Sequence, residues 1–163
     1  MLHNFRAVAN FFIDKAKSEN KLLSHMQIQK LLYFAHGIYL AIYRSPLIDK
    51  TFQAWKHGPV IPELYFDLSP FGSHGIKKKL TEVKNTTGKS KICEPSVNSK
   101  DQNLLELLNF IWEQFGGYDG LKLSYLTHVK DSPWDKNYDP NYRNKMIPNE
   151  EIFEYFKDKV KRT

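Results

Sequence analysis

The sequence has a single cysteine, Cys93, and therefore cannot form a disulfide within the chain. One thiol also cannot supply the ligands of a structural zinc site. No run of 18 or more apolar residues occurs, and Arg6, Asp14 and Lys15 interrupt the apolar positions near the start, which excludes a signal peptide. These absences predict a protein of the reducing cytoplasm that has no membrane anchor.

The motifs of nucleotide, acyl-transfer and metal chemistry are also missing. Neither GxGxxG nor GxxxxGK[ST] occurs, so no glycine-rich turn is predicted to bind phosphate. No serine lies in a GxSxG sequence, and Cys93 stands in a polar segment with no histidine near it. The six histidines never have the HxH or HxxxH spacing of a metal site. The sequence thus predicts no cofactor, no metal and no enzyme active site.

The composition is that of a folded protein. Of the 163 residues, 41% are hydrophobic and 14% aromatic, which is enough for one compact domain over residues 1–163. Basic residues outnumber acidic ones by 24 to 18, and this excess permits an acidic partner without identifying one. The segment SHMQIQKLLYFAH has the look of a helix-turn-helix, but it is too apolar to present a recognition helix to base edges. Nucleic-acid binding is therefore disfavoured and stays a third alternative.

Helical periodicity predicts a mainly α fold of five to six helices. Apolar residues recur at helical spacing in the segments 4–18, 24–43, 61–68, 99–115, 121–129 and 147–160. The segment 24–43 has apolar groups on nearly every face, which indicates a buried central helix. Helix starts are predicted at Ser24 with Gln27, at Ser99 with Gln102, and at Asp119 and Asn149.

Two regions favour β structure or loops over helix. β-forming residues alternate with polar ones at 51–57, and turn signals with polar residues fill 69–99. We predict a small β element near 51–57 and 76–94, and we interpret 69–99 as either a β-hairpin or a mobile loop. The segment 131–145 is polar and broken by proline, which predicts a loop.

Aromatic side chains are concentrated near the predicted turns, where tryptophan and tyrosine are typical of binding surfaces. We predict that Trp134, in SPWD, is an exposed anchor whose replacement by alanine weakens partner binding by at least about 1–2 kcal/mol and leaves the fold intact. His57 and His128 each lie beside a tryptophan-containing segment. They define the alternative hypothesis, an enzyme or metal-dependent pocket that gathers both imidazoles.

Four segments in a fixed order resemble the SocA-like antitoxin family, also called the Panacea domain, which includes phage-associated GepA-type proteins. They are QKLLYFAHGIYLA (29–41), PLIDKTFQAWKHGPVIPELY (46–65), LSYLTHVKDSPW (123–134) and IPNEEIFEYF (147–156). The combination of QKLLYFAH, AWKHGPV and LTHVKDSPW is the specific part. The matching positions are Gln29, Lys30, Tyr33, Ala35, His36, Ala54, Trp55, Gly58, Pro59, Val60, Tyr65, Leu123, Thr127, His128, Pro133 and Trp134.

The resemblance implies a helical antitoxin that neutralises a cognate protein toxin, encoded nearby, by direct contact. One family member is an adaptor for the ClpXP protease, so the resemblance also implies a ClpXP-type protease as a further partner. Some members carry a DNA-binding domain for which this chain has no room, and regulation of its own promoter stays open. The candidate partner-binding residues are Trp55, His57, Pro59, Tyr65, Thr127, His128 and Trp134, of which all but His57 match the family signature.

Overall fold

The structure is a computed structural model that describes residues 1–160, in which seven α-helices accompany two small antiparallel sheets. The helices are α1 (Phe5–Ser18), α2 (His25–Tyr43), α3 (Pro62–Leu68), α4 (Gln102–Phe115), α5 (Gly120–Thr127), α6 (Pro133–Asn137) and α7 (Asn149–Lys157). The strands are β1 (Gln53–Trp55), β2 (Gly58–Val60), β3 (Glu82–Thr86) and β4 (Lys89–Cys93). The predicted mainly α fold is confirmed, but the helices among these residues number seven, not five or six.

The central helix is α2, as predicted. Helices α1, α3, α4, α5 and α7 all pack against it, which explains why apolar residues occupy nearly every face. The helix begins with the predicted capping box, because Ser24 Oγ accepts from the Gln27 amide at 3.1 Å and Gln27 Oε1 accepts from the Ser24 amide at 2.8 Å. A Cβ atom built on Gly37 would lie 2.4 Å from the Phe156 ring, so α7 depends on glycine at this position.

Two helices begin differently from the prediction. The N-cap of α4 is Asp101 and not Ser99, and its carboxylate accepts from a first-turn amide at 3.1 Å. The N-cap of α7 is Pro148, and Asn149 makes no capping bond. The Asn149 side chain instead lies 2.9 Å from Nε2 of His36, so the predicted cap residue joins the last helix to the central one.

The short helix α6 lies inside the segment 131–145, which we expected to be a loop. Ser132 caps it by accepting from the Asp135 amide at 3.2 Å, and Pro133 occupies the first turn, where proline needs no hydrogen-bond donor. The spacing of Ser132 and Asp135 is a helix-start signal present in the sequence. The polar residues around it and the second proline, Pro140, mask this signal in the sequence.

The predicted β element consists of two separate hairpins among the described residues. Strands β1 and β2 pair through a tight turn, so this hairpin extends to Val60, beyond the predicted 51–57. Strands β3 and β4 pair with each other within 76–94, which favours the hairpin over the mobile loop for this region. Residues 76–81 are not a strand; there Ile76 and Leu80 are buried, and Asn10 bonds both backbone groups of Leu80 at 2.6 and 3.0 Å.

Candidate partner-binding site around Lys30

Three segments of the chain meet at the side chain of Lys30, which projects from α2. Lys30 Nζ donates to the carbonyl of Pro59, in the middle of β2, over 3.2 Å. Gly58 adopts φ +116, and a Cβ atom there would lie 2.5 Å from Lys30 Cε and 2.7 Å from Thr127 Oγ1, at the end of α5. Glycine is therefore required at this turn both for the backbone conformation and for the close approach of the three segments.

Lys30 is 1% exposed, which is unusual for a lysine. None of the ion pairs within residues 1–160 involves it. Burial lowers the pKa of its ammonium group from 10.5 to about 7. A buried charge without a counterion is destabilising, and a strongly perturbed pKa beside a cavity is typical of functional sites.

Gln29, the neighbour of Lys30 in α2, attaches the β1–β2 hairpin to the central helix. Its buried side-chain amide donates to the Ile61 carbonyl at 3.0 Å and accepts from the Ile61 N–H at 2.9 Å. The Gln29 amide thus bonds the buried backbone of Ile61 as a neighbouring strand would, and satisfies both its N–H and its carbonyl. This pairing holds the Pro59 carbonyl in place next to the ammonium of Lys30.

Three histidines surround the lysine. Nε2 of His25 and Nε2 of His128 are buried, and neither has a hydrogen-bond partner in the described part of the chain. Burial first, and the charge of Lys30 second, lower the pKa of both imidazoles; the charge of His57 lowers the pKa of His128 further. His57 itself is exposed, and its carbonyl accepts from Ser124 Oγ at 2.7 Å. The cluster is basic.

A cavity of about 310 Å³ opens over this cluster, and Lys30, His25, His57, Trp55 and Tyr65 contribute to its lining. A larger groove of about 750 Å³ lies on the other side of Trp55 and Tyr65, which line both. The two rings are 5.0 Å apart and form the wall between the concavities. The arrangement presents an aromatic projection with a basic cavity on one side and an open groove on the other.

The seven predicted partner-binding residues occupy one region but differ in exposure. His57 and Tyr65 are exposed, and Trp55 and His128 are half-buried. The buried members are Pro59, Thr127 and Trp134. The exposed members are thus available for direct contact, whereas the buried ones hold the turn and the aromatic wall in position.

Trp134 is not the exposed anchor that we expected from the sequence. Its side chain is 8% exposed and belongs to the hydrophobic core. The indole stacks on His128 with ring centroids 3.7 Å apart and on Tyr138 at 4.6 Å, and Nε1 donates to the Trp55 carbonyl at 2.6 Å. Its hydrogen-bonding tip therefore points to the protein backbone, and its role is to support Trp55 from inside.

The alternative hypothesis required His57, His128 and a carboxylate to come together. The two histidines are neighbours, as the influence of His57 on the pKa of His128 indicates. Yet His128 Nε2 bonds no carboxylate among residues 1–160, and no cluster of three or more His, Cys, Asp or Glu side chains in that range could hold a metal ion. Asp135 is close enough to His128 to raise the pKa of its imidazole, but it is not hydrogen-bonded to Nε2. Within residues 1–160 the acid–base arrangement that this hypothesis requires is therefore not assembled.

Lys30 is the residue that sequence reasoning missed as a site residue. A signal was present, because a lysine stood in a helix with apolar residues on nearly every face. Such a position predicts either a snorkelling side chain or a buried charge. Which of the two occurs depends on whether another segment of the chain covers the lysine. Here the Gly58–Pro59 segment does so, and no local pattern around Lys30 reveals that contact.

The family described as "Antitoxin SocA-like, Panacea domain" matches residues 28–135, which contain Lys30, the β1–β2 turn and α5. The chain is also similar to Antitoxin SocA of Caulobacter vibrioides (strain NA1000 / CB15N), with 35% identity over 130 residues. The aligned part covers 80% of this chain and 68% of that relative. No solved structure gives a significant match. The chain therefore belongs to the SocA-like antitoxin family, whose shared region is the Panacea domain.

Proposed function

We propose that this protein is an antitoxin that binds its cognate protein toxin directly and silences it. The contact surface is the docking ridge, which we define as Trp55, Lys56, His57, Tyr65 and Phe66. The observation that carries this proposal is the exposure of its aromatic groups, since Phe66 is 70% exposed and Tyr65 is 40% exposed. Adjacent exposed aromatic side chains beside concave surfaces are typical of protein interfaces.

The spacing of the rings supports a continuous patch. Tyr65 lies 4.8 Å from the ring of His25, 5.0 Å from that of Trp55 and 6.1 Å from that of Phe66, measured between ring centroids. These rings are carried by α2, β1 and α3, which are regular elements, so little order has to be gained on binding. Antitoxin SocA, by its name, supports the assignment of an antitoxin role to this chain.

The proposal also states how and where the protein acts. The protein acts without an enzyme activity or a cofactor, in the cytoplasm, on a toxin encoded nearby. The core cluster runs from Phe5 to Phe156, which supports the interpretation that the chain is one domain. The free thiol of Cys93 supports a reducing compartment. None of the described helices combines the length and the hydropathy that a membrane-spanning segment needs.

The proposal is tested by expressing the adjacent reading frame alone and together with this protein, followed by co-purification. Rescue of growth with a stable complex supports contact, whereas rescue without a complex contradicts it. Phe66→Ala should reduce rescue and complex formation, because it removes an exposed ring of the docking ridge. Phe110→Ala is the matched control: Phe110 is 46% exposed on α4 and lines neither the cavity nor the groove. Equal rescue by both variants would contradict the assigned surface.

Proteolytic delivery forms a separate part of the proposal. An adaptor shortens the lifetime of its toxin only when a ClpXP-type protease is present, whereas a blocking antitoxin leaves the lifetime unchanged. The half-life of the toxin should therefore be measured after translation arrest, with and without this protein, in cells that have or lack the protease. A protease-dependent decrease that Phe66→Ala abolishes supports the adaptor role. Rescue of growth with an unchanged half-life of the toxin would indicate that the protein acts only by blocking the toxin.

A further inference from the structure

We propose that the cavity over Lys30 receives the carboxylate of an aspartate or glutamate side chain of the toxin, with the Lys30 ammonium as its ion-pair partner. This inference rests on the proposed function, because it names the chemical group that the partner inserts beside the docking ridge. It also assigns a role to a buried charge that has no counterion within residues 1–160.

The free hydrogen-bonding capacity of Lys30 is the first argument. An ammonium group has three N–H donors, and within the described chain Lys30 uses one, toward the Pro59 carbonyl. Removing such a group from water destabilises the fold unless a charged acceptor compensates. An apolar side chain at position 30 would avoid this cost. A buried lysine that lines a cavity is therefore suited to an acceptor that comes from another molecule.

The charge of the lining is the second argument. The titratable groups that face Lys30 are His25 on α2, Lys56 and His57 in the β1–β2 turn, Tyr65 on α3 and His128 after α5. No aspartate or glutamate of residues 1–160 lines the cavity. The lysines that line the cavity, Lys30 and Lys56, are both cationic in their charged form. A concave site with cations and apolar walls concentrates the opposite charge, so an anionic group is the complementary occupant.

The shape of the cavity favours a side chain over a chain terminus. Its volume of about 310 Å³ accommodates one inserted side chain, and Trp55, Tyr65 and Val60 provide apolar walls for a methylene stem. A C-terminal carboxylate would also bring a peptide N–H that needs an acceptor on burial. The side-chain amide in the lining, that of Gln29, is already bonded twice to Ile61.

Insertion of a carboxylate has a proton-linked consequence. Because burial lowers the pKa of Lys30 to about 7 in the free protein, the amine is increasingly neutral above that pH. Its pairing with a carboxylate requires the ammonium form, so the complex takes up a proton at higher pH. Affinity for the toxin should then decrease by up to about tenfold for each pH unit above 7, until the raised pKa in the complex is reached.

The first test compares wild-type protein with Lys30→Met for binding to the purified product of the neighbouring toxin gene, by calorimetry at pH 6.5 and 8.5. Lys30→Met should weaken binding on the order of 30-fold or more at pH 6.5, as expected when one partner of a buried charge pair is lost. Its affinity should also change less with pH than that of the wild type. Lys56→Met is the control, since Lys56 is an exposed cation of the same cavity. It should lose less affinity, and mainly at low salt.

The outcomes separate this inference from the proposed function. Wild-type affinity in Lys30→Met, together with lost binding in Phe66→Ala, would overturn the carboxylate site and leave the docking ridge standing. Failure of the wild type to bind the toxin would overturn both proposals. Replacing the acidic residues of the toxin one at a time by amides should identify one position that is non-additive with Lys30→Met. Loss of binding caused instead by a C-terminal extension of the toxin would contradict the side-chain assignment.

Discussion

The imidazole of His128 lies parallel to the indole of Trp134, with ring centroids 3.7 Å apart and an interplanar angle of 7°. The indole in turn donates its N–H to the carbonyl of Trp55 over 2.6 Å. The stack thus connects the end of α5 to the turn between β1 and β2. This connection explains how a short two-stranded hairpin, which is marginally stable alone, presents a defined aromatic surface.

We predict that Trp134→Ala lowers the free energy of unfolding by about 3–5 kcal/mol, because it removes a large buried ring and its stacking partners. Trp134→Phe should cost less, about 1–3 kcal/mol, since it retains a ring but leaves the Trp55 carbonyl without its donor. Denaturant unfolding monitored by circular dichroism measures both. Phe66→Ala, at an exposed position, should stay within about 0.5 kcal/mol of the wild type. A similarly small change for Trp134→Ala would contradict the buried role.

We predict that Gly58→Ala destabilises the protein more than Gly88→Ala. Both glycines have positive φ, +116 and +76, so both substitutions introduce backbone strain. At Gly88 no atom lies within 4 Å of the added methyl group, whereas at Gly58 the methyl group meets Lys30 and Thr127. The difference between the two unfolding free energies therefore combines the crowding around Lys30 and Thr127 with the greater backbone strain at φ +116. Equal losses would indicate that the three segments do not depend on this close approach.

The sequence predicted those parts of the fold that depend on local patterns. The central helix was recognisable because Ser24 and Gln27 form a capping box ahead of a stretch that is apolar on nearly every face. The predicted N-caps of α4 and α7 are wrong because a polar residue near a helix start has several possible partners. Asn149, for example, bonds His36 on a distant helix instead of capping α7. Local spacing does not distinguish these outcomes.

The candidate site was predictable only in outline. Tyr65 and His57 are exposed, as expected for members of a binding surface near the predicted turns. Trp134 is buried instead, because the Trp55 carbonyl gives its indole N–H an internal partner. The importance of Lys30 depends on a contact with Pro59 across 29 positions of sequence. Such a contact is a property of tertiary packing, and helical periodicity alone carries no information about it.

We predict that acid destabilises the protein partly through His36. Burial lowers the pKa of His36 from 6.5 to about 4, so between these values the unfolded state binds the proton more readily than the folded state. The free energy of unfolding should decrease as the pH falls from 6.5 to 4, by up to about 1.4 kcal/mol per pH unit from this group. His36→Leu should show a smaller decrease over that range. Because the pKa values of His25 and His128 are also lowered, the difference between wild type and variant is the informative quantity. Parallel curves would contradict a neutral, buried His36.

We predict that Lys30→Met stabilises the free protein at pH 7 and below. The folded-state pKa of about 7 lies below the value of 10.5 for an exposed lysine, so the unfolded state binds more protons between these pH values. The wild type should therefore gain stability as the pH rises above 7, by up to about 1.4 kcal/mol per pH unit, and the variant should lack this gain. At pH 6.5 the variant should be more stable by roughly 1–4 kcal/mol, because methionine replaces the buried charge with an apolar chain of similar volume.

The measurement is denaturant unfolding of wild type, Lys30→Met and Lys56→Met between pH 6.5 and 9.5. Lys56→Met should follow the wild type, because Lys56 is exposed. The difference between the curves therefore reports on Lys30 and on the two imidazoles whose pKa values it lowers, those of His25 and His128. A variant that is more stable yet binds the toxin less tightly would identify Lys30 as a residue whose destabilising burial serves recognition. Loss of stability in Lys30→Met at pH 6.5 would instead indicate that the ammonium supports the fold through the Pro59 carbonyl.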